Sequence, residues 1–253
     1  AKIPLLKRED IDKKAETFCW TEKEEAGIKV LHHNFFTAGI GYLKVLFNTE
    51  VLPPEDLPYA GLLKSILGSV STEHYSYSDL TSEIHLNSGG VDFSVTSYAN
   101  LEKPEQFTGA FVASIRVLYD KLDFGFTMLE EILNHSVFTD EKRLGEVIQE
   151  TRSRAKMKLE NAGHSTAVSR ATSYFSATAY YNELTGGTAY YHFLEQLEKD
   201  YAAKKGEIIA RLQEVSKKLF TRANMLVNYT ADDKGYEKLP ETLKLLADQL
   251  PQG

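Results

Sequence analysis

The sequence predicts an α+β fold, an antiparallel sheet packed against helices with a helical block inserted between strands, and three observations predict it. Strand-like alternation of apolar residues is concentrated in the first half and returns near the C-terminus. Helical spacing fills the interval between them. No regular strand–helix–strand alternation of the kind that builds parallel sheets runs through the chain.

The elements follow in order. Residues 1–25 are polar and charged, with Pro4 early and no sustained period, which predicts a linker-like lead-in to one α+β domain over 26–253. Ile28 and Val30, then Ile40, Tyr42, Val45 and Phe47, are β-formers around Asn34 to Gly39 and predict two antiparallel strands, the second ended by Pro53-Pro54. Over 59–67, Leu62, Leu63, Ile66 and Leu67 make an apolar helical stripe, and Gly68 can stop it. Ser76 with Asp79 reads as a capping box for a helix through Leu86, closed by Asn87-Ser88-Gly89-Gly90. Strands are predicted at 91–98 and 107–119, then a helix over 121–134.

Thr139-Asp140-Glu141 sets a cap and two carboxylates at the positive end of a charge-rich helix running to Glu160. Helical patterns continue over 165–182, 189–199 and 204–220, with breaks at Gly163 and Gly186-Gly187. A last strand is expected at 222–230 and a closing helix at 239–250.

Composition excludes several classes of function. The 253 residues are 42% apolar and 26% charged, enough to bury a core. No run approaches the ~18 apolar residues of a membrane span, and Lys2, Lys7 and Arg8 interrupt any signal-like start, so neither membrane nor export is expected. A net charge of −7 argues against nucleic acid as a partner and disfavours acidic substrates. The single Cys19 excludes a disulfide framework and fits a reducing compartment. Ala1 in place of a methionine, and the ending Leu250-Pro251-Gln252-Gly253, fit a piece of something longer.

Each candidate for chemistry is met by a plainer reading. His192-Phe193-Leu194-Glu195-Gln196 matches the inverted zinc motif His-x-x-Glu-His except where the second histidine must stand, and Gln196 is a poor ligand there. Gly163-His164-Ser165-Thr166-Ala167 resembles a nucleophile elbow, but it follows a charged helix rather than a strand, so Ser165 is read as a helix cap. His32 and His33, adjacent in a strand, face opposite ways and do not chelate together. Glu73, His74, Asp79, Glu83 and His85 form a denser cluster of metal-ligating types that reads first as a solvated surface. Arg152, Arg154, Lys156 and Lys158 alternate with Glu146, Glu150 and Glu160 as an ion-paired face. The aromatic group Tyr174, Phe175, Tyr180, Tyr181, Tyr190, Tyr191 and Phe193 reads as core or interface, with peptide contact as the functional alternative. The sequon Asn228-Tyr229-Thr230 lies in a predicted strand, where glycosylation is not expected.

Several strings, taken in order, resemble a known family. They are Ile3-Pro4-Leu5 with Asp10-Ile11, Gly27 to Val30 and Phe36 to Ile40, Asn87 to Val91, Gly163-His164 with Arg170, Gly186-Gly187 with Tyr190 or Tyr191, Phe193 to Leu197, and Asn228 to Asp232. Together they resemble the third, non-catalytic domain of presequence-protease-type peptidases, the branch of the pitrilysin/insulysin zinc metallopeptidases that includes falcilysin. The resemblance implies four related α+β domains closing around a chamber, with zinc held in the first by His-x-x-Glu-His. Here the corresponding metal and base positions hold Tyr59, Leu62 and Leu63, with Glu146 or Glu150 near the place of a distal glutamate.

The resemblance therefore implies that this chain alone is inactive, with no catalytic residue, metal or cofactor of its own and zinc in the parent enzyme's catalytic domain. Its partners would be other domains of the same polypeptide and the parent enzyme's peptide substrates, and its binding residues are unassigned. The expected function is chamber formation in a metallopeptidase that degrades peptides and small unfolded segments. The alternatives are an independent peptide-binding or oligomerisation module, and a free-standing hydrolase using the 73–85 cluster or His192. A bacterial cytoplasm is the expected compartment, with an organelle as the other.

Overall fold

Leu43, Val45 and Phe47 are buried while Tyr42 and Lys44, at the alternating positions, are exposed, the alternation imposed on a strand whose sheet is covered on one face only. The computed structural model describes residues 5, 7–11, 13–14, 17–103 and 105–253, so Lys2, Ile3 and Pro4 of the lead-in lie outside it. Its strands are β1 (Thr21–Glu25), β2 (Ile28–Asn34), β3 (Ile40–Asn48), β4 (Val91–Ala99), β5 (Phe107–Leu118) and β6 (Met225–Ala231). They form one sheet in the order β1-β2-β6-β3-β5-β4. Its helices are α1 (Leu57–Ile66), α2 (Tyr77–Asn87), α3 (Leu122–His135), α4 (Glu141–Asn161), α5 (Gly163–Thr172), α6 (Ala177–Gly186), α7 (Thr188–Leu219), α8 (Asp233–Tyr236) and α9 (Leu239–Gln249). The α+β architecture with a helical block between strands is the one expected.

Three features differ from expectation. First, the strands either side of Asn34 to Gly39 run antiparallel but are not neighbours: β6 lies between them, parallel to β2 and antiparallel to β3. The connection over 35–39 has only to cross two interstrand gaps, roughly 10 Å, well within the reach of five residues. The reason for the insertion is burial, because Val227, Tyr229 and Ala231 on β6 are fully buried and require a central place. Second, the lead-in is not wholly outside the sheet. Thr21–Glu25 is β1, joined to β2 by a two-residue turn in which Ala26 (φ 53°) and Gly27 (φ 74°) are both left-handed, the geometry of a type I′ hairpin.

Third, the helical block is cut differently. The stretch 165–182 is two helices, α5 and α6, whereas 189–199 and 204–220 are one unbroken α7. The polar interval that looked like a gap is held by packing on α4: Tyr201 Oη donates to the Glu141 carbonyl and Lys205 pairs with the Glu141 side chain. The apolar stripe of Leu194 and Leu197 simply resumes at Ile208, Leu212 and Val215. Ser165 is inside α5, its Oγ 3.1 Å from His164 Nε2, and caps nothing. The expected caps do form at α2, where Ser76 Oγ accepts from Asp79 N–H, and at α4, where Asp140 accepts from Arg143 N–H.

Candidate functional site

The helix that corresponds to a zinc helix in the resemblance is α1. Leu62 and Leu63 are each 0% exposed, and Tyr59 is half-buried with its ring edge-on to Phe193 at 4.9 Å. These side chains belong to the apolar core and offer zinc no donor pair. What covers them is the helical block, with α6, α7 and α4 packed on α1. Gly61 makes this approach possible: a Cβ there would stand 2.8 Å from the Thr185 carbonyl oxygen and 3.0 Å from the Tyr190 ring. Tyr190 Oη instead donates to the Gly61 carbonyl at 2.9 Å. Glu146 and Glu150 are on the exposed side of α4, paired with Arg143 and Arg154. They do not join α1.

The remaining candidates are scattered. His192 is exposed and lies 3.7 Å from Glu195, an ordinary pair one helical turn apart. His32 is buried, with Nε2 3.0 Å from the Ala231 carbonyl and its ring 4.3 Å from Tyr236, and burial lowers its pKa. His33 faces the other way, against Asn228 Nδ2. Arg152 pairs with Glu198, Arg154 with Glu150 and Lys156 with Glu160. The aromatic group divides: Tyr181 and Tyr190 are core, whereas Tyr174, Phe175 and Tyr180 are exposed on the α5–α6 side.

Three arrangements have chemical content. The first is a cleft of about 420 Å³ beside α1, lined by Lys64, Lys158, Glu183 and Val95. Lys64 donates to the Thr185 carbonyl at 2.9 Å, and burial, then the charge of Lys158, lowers its pKa to about 8. The second is the open face of the sheet. Tyr42, Lys44, Ser114 and Arg116 alternate with the core-facing residues of β3 and β5, and a cavity of about 640 Å³ lies over them.

The third arrangement divides the expected 73–85 cluster. Asp79, Glu83 and His85 remain on α2, while Glu73 and His74 meet Glu130, Glu131 and His135 at the end of α3. Burial raises the pKa of Glu131, but hydrogen bonds from Thr72 and His74 outweigh it and hold the carboxyl below its usual range. Burial likewise opposes charging of His135, and the hydrogen bond to Glu73 with the charges of Glu130, Glu131 and Glu73 outweighs it, so the imidazole sits above its usual range. Glu130, Glu131, His135 and Lys64 are the residues that pattern reading passes over. The Glu-Glu-x-x-x-His spacing on α3 was the available signal for the first three.

Comparison with known proteins agrees with this architecture. Residues 1–197 match the family described as associated with peptidase M16, subfamily C. Protein HypA of Clostridium perfringens is 37% identical over 244 residues, covering 96% of this chain and 25% of its own length. Presequence protease 1, chloroplastic/mitochondrial, of Arabidopsis thaliana is 28% identical over 251 residues, covering 99% of this chain and 23% of its own. The chain thus spans about a quarter of the length of these relatives. Among solved structures, a peptidase M16 inactive domain from Pseudomonas fluorescens superposes with a TM-score of 0.64 at 16% identity, over 92% of this chain and 51% of that one. A family match over most of the length, on the sheet and helical block just described, leads to one conclusion: the chain belongs to the family of domains associated with peptidase M16, subfamily C.

Proposed function

We propose that this chain is a non-catalytic, chamber-forming domain of a zinc-dependent metallopeptidase that degrades peptides and small unfolded segments. The observation that carries the proposal is the state of α1: where the resemblance expects two metal ligands and a base, the chain has Tyr59 and two core leucines sealed under α6 and α7. Catalytic zinc then belongs to another domain of the longer polypeptide, consistent with relatives about four times the length of this chain. The open sheet face supplies chamber wall, because hydroxyls, Lys44 and Arg116 can hydrogen-bond peptide carbonyls and carboxylates without sequence preference. The exposed Tyr174, Phe175 and Tyr180 supply apolar surface for a neighbouring domain. The compartment proposed is a bacterial cytoplasm, supported by the identity to the Clostridium relative.

The test compares fluorogenic peptide hydrolysis by the 253-residue chain and by the longer polypeptide that contains it. The expected result is chelator-sensitive hydrolysis by the longer polypeptide only, with KM raised by the double substitution Lys44→Ala and Arg116→Ala on the open face. Chelator-sensitive hydrolysis by the chain alone, or an unchanged KM in the double variant, would overturn the proposal.

A further inference from the structure

The loop between α1 and α2 is stitched to the end of α3. Thr72 and Ser136 form an isolated antiparallel bridge, Glu73 N–H donates to the His135 carbonyl at 2.9 Å, and Val137 N–H donates to the Ser71 carbonyl at 2.9 Å. This stitch brings the side chains of Glu73 and His74 against those of Glu130, Glu131 and His135. Glu130, Glu131 and His135 each present a donor atom, and the three atoms lie within 4.8 Å of one another. Among the described residues the ion-pair partners of these carboxylates are the two imidazoles, and no lysine or arginine pairs with them. The buried Asp56 shows the other solution, since it takes both Arg211 and Lys218.

His135 stands at the centre of the cluster. Its Nδ1 is 2.9 Å from Glu73 Oε2 and its Nε2 is 3.2 Å from Glu130 Oε1. In the metal-free chain a proton on each ring nitrogen can serve both carboxylates, and a divalent ion bound at Nε2 takes the place of the proton that faces Glu130. Two donors about 2 Å from a tetrahedral ion are separated by roughly 3.3 Å, so the observed 3.2 Å already matches the edge of such a site. Glu73 on Nδ1 is the carboxylate that orients a metal-binding imidazole and raises its basicity.

We propose that Glu130, Glu131 and His135 Nε2 bind one divalent cation of the borderline class represented by zinc, with Glu73 as the orienting carboxylate and a fourth position open to water or His74. The mixed nitrogen and oxygen donor set selects this class over magnesium and calcium, which take oxygen shells. The bound ion clips the 71–76 loop to α3 and drives no reaction. The clip is independent of the chamber-forming role.

The test is zinc titration of the 253-residue chain, freed of metal, by calorimetry and by thermal melting, with magnesium as control. The expected result is one zinc per chain and a raised Tm, neither seen with magnesium. His135→Gln should abolish tight binding, and Glu73→Gln should weaken it about 10- to 100-fold through the outer hydrogen bond alone. No stoichiometric zinc, or zinc retained at full affinity in His135→Gln, would overturn the site. Should His135→Gln fail to fold, X-ray absorption of the zinc-loaded parent chain decides. A shell of imidazole and carboxylate supports the proposal, and an imidazole-free shell or one containing the Cys19 sulfur overturns it.

Discussion

Rebuilding the zinc motif on α1 by the triple substitution Tyr59→His, Leu62→Glu and Leu63→His should unfold the chain rather than create a metal site. Both leucines are fully buried, so each replacement forfeits about 2 kcal/mol of transfer free energy. A glutamate placed at 62 among apolar neighbours adds about 1–3 kcal/mol for an unpaired polar group. The pair therefore costs about 5–7 kcal/mol, against a total stability of about 5–15 kcal/mol for a domain. Tyr59→His alone should be mild, about 0.5–1.5 kcal/mol, because it loses chiefly the edge-on contact with Phe193. The assay is urea unfolding followed by circular dichroism on each single variant and the triple, with zinc titration of whatever folds. A triple variant that keeps the parent midpoint and binds zinc through the rebuilt motif would refute the claim that these positions are committed to the core.

Other substitutions test the neighbouring packing. Gly61→Ala should destabilise by about 1–3 kcal/mol in thermal melts, because the Thr185 carbonyl blocks the new Cβ, although alanine favours helix intrinsically; an unchanged Tm would mean that α6 can retreat. The folded state lowers the Lys64 pKa to about 8 from 10.5, so the unfolded state binds more protons between those values and stability rises with pH across that window. Relative to Lys64→Met, the parent chain should gain on the order of 2–3 kcal/mol between pH 8 and 10.5, read from urea midpoints, and parallel pH profiles would count against it. Removing residues 1–25 takes β1 off the sheet, together with the Tyr236 Oη–Glu25 hydrogen bond and the Lys23 contact over the Tyr236 ring. The shortened chain should lose stability and self-associate through the bared β2 edge on gel filtration, and a monomer with an unaltered midpoint would restore the boundary at 25/26.

Much of the architecture was legible because local and tertiary demands agree. Leu62, Leu63 and Ile66 make a helical stripe in sequence and a buried stripe in the fold. The caps Ser76 and Asp140 act where they are expected. Legibility failed where a distant segment decides the outcome. The alternating pattern of β6 announces a strand, but only the burial of both its flanks, through β2 and β3, tells that it divides a pair joined by five residues. β1 is charged and half-exposed, and alanine at the first left-handed turn position hides the hairpin. The Glu73–His135 cluster was half visible, because the loop residues are adjacent in sequence whereas their partners arrive from α3 through a single backbone bridge.

The place of β6 also dictates when the sheet can be finished. β2 and β3 are made early, yet the His32–Ala231 hydrogen bond joins residues 199 positions apart. Until the last tenth of the chain is available, the two early strands border a gap, each with a row of unsatisfied amides and carbonyls, and their five-residue connection tempts them to close on each other. Direct β2–β3 pairing is therefore a built-in wrong turn, and escaping it requires breaking a ladder before the true middle strand can enter. Wide sequence separation of this kind slows folding and lengthens the exposure of open edges, so slow refolding, relieved when the 35–39 connection is stiffened against a tight hairpin, is written into the order of the strands.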